Sequence, residues 1–100
     1  MSVFLELTAD TPAFRILEYF IESRDTDHAI GDVLEATRLS RSTFYTAWPR
    51  VLRNSFVIQS RMVGKTKLYK LSSHNRYVQL YCALFDAALQ ESTRRRRVLA

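Results

Sequence analysis

Apolar and polar positions alternate along this chain with two rhythms, one helical and one extended, and the change between them divides it into elements. Phe4, Leu5 and Leu7 form a short apolar opening that fits either conformation. Ile16, Leu17, Phe20 and Ile21 then recur at helical spacing. Asp10 or Thr11 can cap that helix, and Pro12 sits where a missing amide costs nothing. The pattern breaks near Arg24, at Asp25, Thr26 and Asp27, which can cap the next helix. That second helix, about Ala29 to Thr37, turns Ile30, Val33 and Leu34 inward, with Gly31 costing roughly 1 kcal/mol against Ala. Arg38 and Leu39 make a tight turn, with Leu39 plugging the angle before the third helix.

The third helix is the one around which the chain is organised. Ser40 is a good N-cap, and Ala47, Trp48 and Val51 lie within roughly 60° of Phe44 on a helical wheel, forming a core-facing stripe. Ser42, Thr46, Arg50 and Arg53 occupy the opposite face. Pro49 falls on the outward side, where it predicts either a kink or a helix that stops at Trp48. After Asn54 and Ser55 the rhythm changes to alternation. Phe56 to Met62 reads as a strand, Val63 to Lys65 as a turn around Gly64, and Thr66 to Leu71 as the return strand, with Leu68 and Leu71 apolar. A last helix begins at Ser72, Ser73 or Asn75 and runs to about Glu91. Its Tyr77, Tyr81, Leu84 and Ala88 keep seam spacing and, with Phe85, exceed what one small core can cover, so homodimerisation through this helix is expected ahead of a monomer whose extra aromatics roof the core.

Composition narrows the class. With 47% hydrophobic residues in 100, the chain folds as one globular domain, and two Gly and two Pro are too few for a many-turned all-β fold. The fold class is therefore mostly α with a small β-hairpin, over residues 1–92 including a C-terminal helix at 74–91, followed by a basic flexible tail at 93–100. A single cysteine, Cys82, allows no internal disulfide and points to a reducing, cytoplasmic setting. Met1 to Leu7 lacks the basic start of a signal peptide, and no apolar run approaches a membrane span.

Charge changes the picture most. The net +5 conceals a net −6 over residues 1–35, +9 over residues 36–85 without one acid, and +2 beyond. Fifty residues of one sign point to a polyanion, and a nucleoid-associated location is the corollary. A helix presenting small polar and basic side chains, backed by aromatics, suits a DNA major groove. On this reading Ser40, Arg41, Ser42, Thr43, Tyr45 and Thr46 meet phosphates and base edges, while Arg50, Arg53, Arg61, Lys65 and Lys67 grip backbone or the minor groove. Catalysis has little support. His28 and His74 lie far apart, no Cys/His spacing suggests zinc, and no glycine-rich phosphate loop occurs, so neither an enzyme, a metal nor a cofactor is expected.

These residues resemble the small winged helix-turn-helix proteins of archaeal genomes, plasmids and viruses. The likeness rests on Thr11 to Leu17, Leu39 to Tyr45, Trp48 and Pro49, the Val63, Gly64, Lys65 turn, and Leu68 to Leu71. It implies a winged helix-turn-helix with an additional C-terminal helix, double-stranded DNA as partner, and a role in transcription regulation. Thr46 stands where that family often has a basic residue, and the Arg94 to Arg97 run is outside its pattern. Two other roles fit a fold of this kind: a protein-interaction module, and an architectural or replication-associated binder without sequence preference.

Overall fold

A computed structural model describes residues 2–99, with side chains through Arg95. Among these residues the order is α1 (Val3–Leu7), α2 (Pro12–Glu22), α3 (Ile30–Thr37), α4 (Arg41–Arg53), β1 (Val57–Val63), β2 (Thr66–Leu71) and α5 (Arg76–Leu99). The protein is mostly helical, with one two-stranded antiparallel hairpin.

The opening stretch is a single helical turn. Ser2 Oγ accepts from the Leu5 amide at 3.1 Å, and Phe4 and Leu5 are buried. Helix α2 starts as its sequence predicts: Thr11 Oγ1 accepts from the Phe14 amide, Pro12 is the first helical residue, and Ile16, Leu17, Phe20 and Ile21 face the core. The α2–α3 segment differs from expectation. The Asp32 carboxylate reaches back to the Ala29 amide at 3.1 Å and closes the start of α3, which leaves Asp27 free for a longer-range contact.

Between α3 and α4 the chain turns through Arg38, a non-glycine residue at φ 59°, whose amide donates to the Leu34 carbonyl at 2.9 Å. Leu39 is half-buried in the turn. Helix α4 buries Phe44, Trp48 and Val51 and does not stop at Trp48, since Pro49 sits inside it with the ring exposed. Its end is a Schellman motif. Ser55 takes φ 56°, its amide donates to the Leu52 carbonyl at 3.0 Å, and the Phe56 amide reaches the Val51 carbonyl at 3.2 Å.

The hairpin pairs Val57 with Leu71, Gln59 with Tyr69, Arg61 with Leu68 and Val63 with Thr66, with a bulge between Gln59 and Arg61. Strand β1 begins one residue later than alternation indicates. The packing side is Val57, Tyr69 and Leu71, and alternation leaves Leu68 half-buried on the other side. The extra residue at Ser60 reverses the inside–outside alternation of β1 beyond it. Tyr69 rests edge-on against Trp48 at 5.0 Å, and its backbone exchanges two hydrogen bonds with His28, of 2.7 and 2.8 Å. The hairpin is thereby held on one side by α4 and on the other by the α2–α3 loop.

Asn75 caps α5: its Oδ1 accepts from the Val78 amide at 3.1 Å, while its Nδ2 donates to the Asn54 and Ser55 carbonyls at 3.0 Å each. The helix is continuous through residue 99 rather than ending near Glu91, so backbone expected to form a flexible tail is helical. No glycine or proline occurs beyond Asn75 to stop it. At 24 residues α5 spans roughly 36 Å, which accounts for the elongated 50 × 28 × 22 Å envelope. The side chains of Arg96 and Arg97 lie outside the described residues.

The inward face of α5 uses much of the surface expected between two copies. Tyr81 meets Phe14 at 5.6 Å and Phe56 at 6.0 Å, Phe85 meets Phe4 at 5.9 Å, and Ala88 is buried. The reason is α1, whose Phe4 supplies an internal partner for these rings. Tyr77 remains exposed and Leu84 half-buried. Among the described residues no helix is long and apolar enough to cross a membrane.

Candidate nucleic-acid interface

The outward side of α4 is built from its first turn. Ser40 Oγ accepts from the Thr43 amide at 3.2 Å and donates to Thr43 Oγ1 at 2.8 Å, which fixes the cap and draws both hydroxyls into one cluster. Thr46 Oγ1 donates to the Ser42 carbonyl at 2.8 Å, so its methyl and remaining lone pairs face outward. Ser40, Arg41, Ser42, Thr43, Tyr45, Thr46, Arg50 and Arg53 are all exposed. Tyr45, at 48% exposure, stands perpendicular to Phe44 with ring centroids 5.1 Å apart, anchored by its ring while the phenol end is open. Phe44 in turn stacks on Trp48 at 5.1 Å, giving the polar face a rigid backing.

The cations expected on this surface divide into two groups. Arg41, Arg50, Arg53, Lys65 and Lys67 are exposed and make no ion pair among the described residues. Arg61 is different: Nε donates to Asp27 Oδ2 at 2.8 Å and Nη2 to Oδ1 at 3.4 Å. Ser60 Oγ, on the bulge, donates to the same Asp27 oxygen at 2.8 Å. The Arg61 hydrogen bond, then that of Ser60, holds the Asp27 carboxyl at about 2, well below the ordinary carboxylate range. Arg61, expected as a phosphate grip, is thus paired within the chain while its side chain stays 65% exposed. Asp27, 34 residues away in sequence, is the residue that sequence reasoning missed. The run Gln59, Ser60, Arg61, which interrupts the alternation, is the only local sign of it.

The hairpin tip carries Lys65 beside Gly64, which takes φ 61° in the turn. Met62 and Val63 accompany it, 52% and 56% exposed. On the other flank of α4, facing the start of α2, lies an open cleft of about 730 Å³ whose rim includes Thr43, Thr46 and Arg50. Phe14, Leu17 and Tyr81 line its depth. Three candidate interface residues thus belong to a concave feature that one-dimensional patterning does not reveal.

Other reactive groups are engaged structurally. His28 Nδ1 pairs with the Tyr19 hydroxyl and Nε2 with Thr26 Oγ1, both at 2.9 Å. Burial pushes the Cys82 thiol up, away from the reactive thiolate. Among the described residues no group of three or more His, Cys, Asp or Glu could hold a metal ion. No protein-family model and no curated protein matches the sequence.

Proposed function

We propose that this chain is a sequence-reading, double-stranded DNA-binding regulator of winged helix-turn-helix build. In this reading α4 is the recognition helix and the β1–β2 hairpin is the wing. The observation that carries it is the exposed hydroxyl and guanidinium face of α4, backed by stacked aromatics, within a segment from Ala36 to Phe85 that has no carboxylate. Ser40 and Thr43 meet phosphate at the helix start, Arg41, Ser42 and Tyr45 probe base edges, and Arg50, Arg53, Lys65 and Lys67 bind backbone. The resemblance to small archaeal regulators supports the same assignment, and nucleoid association would accompany it.

A second copy belongs to the proposal in altered form. Tyr81, Phe85 and Ala88 are engaged within one chain, so pairing uses the outer side of α5, where Tyr77 and Leu80 are 67% and 61% exposed and Leu84 is half-buried between turns. Two-fold pairing predicts an inverted repeat with half-sites about 10 bp apart, or a multiple of that.

Selection of bound duplex from a random pool tests the function. A selected site preferred over random duplex by about 10³ or more supports sequence reading. Arg41→Ala with Tyr45→Ala should then remove most of that preference. A ratio near one favours an architectural binder, and retention of nucleic acid untouched by those two changes favours a protein-interaction module.

A further inference from the structure

The cleft beside α4 shares Thr43, Thr46 and Arg50 with the proposed DNA face, but its floor has no part in that reading and a chemistry of its own. Its depth is apolar: Leu17 and Val51 are 2% and 1% exposed, and the half-buried rings of Phe14 and Tyr81 meet edge-on at 5.6 Å. At about 730 Å³ it falls in the range of small-molecule sites, roughly 300–1,000 Å³. The rim is polar and one-signed. Arg50 stands there without an acidic partner among the described residues, and no carboxylate lines the cleft. Helix α2 also begins at this wall, which adds its positive end to the guanidinium. An apolar floor beneath one unmatched cation complements a ligand with an apolar body and one negative group. A bare phosphate would leave the floor empty, and a cation would meet Arg50.

We propose that this cleft binds a small monocarboxylate with an aromatic or aliphatic body, its carboxylate on Arg50, and that the ligand competes with DNA for α4. The binding claim stands on the cleft alone, while the competition claim rests on the DNA-binding reading. Arg50 and Thr46 sit on the cleft rim and on the exposed side of α4 at once, so a carboxylate that engages Arg50 withdraws it from phosphate. DNA retention weakens without any change of fold.

The protein is titrated without DNA against phenylbutyrate and, in parallel, phenylbutyramide, followed by its two-dimensional amide NMR spectrum. The acid should bind with a Kd below about 1 mM and shift amides at the start of α2, along Thr46 to Val51 and at Tyr81. The amide should bind about tenfold more weakly, since it lacks the charge-assisted pair. Arg50→Gln, a surface change, should bring the acid down to the amide's affinity. Ala47→Leu, which narrows the cleft beside Val51, should weaken binding of both at least tenfold while leaving the remaining amide spectrum folded. Equal binding of acid and amide, shifts confined to the outer face of α5, or no shifts at about 1 mM would overturn the site. On a selected duplex, phenylbutyrate should release the wild type but not Ala47→Leu. Binding without release overturns the competition, and failure to select any duplex counts against the DNA reading while the DNA-free titration still judges the cleft.

Discussion

On the proposed DNA-binding reading, replacing Asp27 by Asn should tighten the complex with DNA and steepen its dependence on salt. Arg61 is held by both oxygens of Asp27, so at neutral pH its charge is cancelled locally. Five exposed cations without acid partners remain on the proposed interface: Arg41, Arg50, Arg53, Lys65 and Lys67. If each displaces one condensed counterion, log K falls with log salt at a slope of about −4.5. Releasing Arg61 adds a sixth and takes the slope to about −5.4. Between about 50 and 200 mM salt the wild type should lose about 500-fold in affinity and Asp27→Asn about 1,800-fold. The Asn oxygen still accepts from Ser60, so the hairpin keeps part of its anchor. Fluorescence anisotropy on one selected duplex, at four or more salt concentrations, measures both slopes. The double change Asp27→Asn with Arg61→Gln should return the slope to about −4.5. A single variant no steeper than wild type would refute the argument, because it would mean that Arg61 does not face the phosphates its neighbours reach.

Three further outcomes are expected. Ser55→Gly should stabilise the protein by roughly 1 kcal/mol, because Ser55 holds φ 56°; in thermal unfolding that raises Tm by roughly 4–8 °C, and a lower Tm would contradict the strain. Phe44→Ala should cost about 3–5 kcal/mol in urea unfolding, since the ring is fully buried between Tyr45 and Trp48, and a loss under about 1 kcal/mol would mean the core closes over the gap. Asp27 is depressed to about 2 in the folded chain, so its contribution to stability is complete above its unfolded value near 4 and disappears as pH falls through 2. Acid titration of wild type against Asp27→Asn should therefore show a stability difference that shrinks across that window, and a constant difference would count against the pairing.

Local signals carried a large part of the fold. Ser40 marks its helix start by chemistry confined to one turn, and Thr11 and Asn75, each one of the alternatives the sequence offers at its helix, close theirs in the same way. The stripe of Phe44, Trp48 and Val51 needed only the 3.6-residue period. Three things depended on distant partners and were not legible. Helix α1 is too short for periodicity to distinguish it from a strand, yet its Phe4 takes up the rings of Tyr81 and Phe85. Tyr69 points inward because it shares a side of β2 with Leu71, and packing against Trp48 and pairing with His28 decide that this is the side that is covered. Asp27 reads as a cap until the fold brings Arg61 to it. The extent of α5 was available in principle, since nothing after Asn75 breaks a helix, but a run of arginines resembles a solvated end. Exposure of the candidate residues on α4 could be read from the wheel; the cleft on its flank needed three elements placed together.

The two backbone bonds between His28 and Tyr69 carry a mechanical consequence. A hairpin fastened only at its root could swing like a flap and adjust to whatever lies beneath it. This one is pinned halfway along β2 to the loop that launches α3, while Trp48 braces the same residue from α4. Hairpin and α4 are thereby tied at Tyr69, so on the proposed DNA-binding reading accommodation falls to the partner. For a duplex, that means bending or narrowing a groove to meet a fixed span, so preference should extend to base steps that no side chain reaches, graded by how easily they deform.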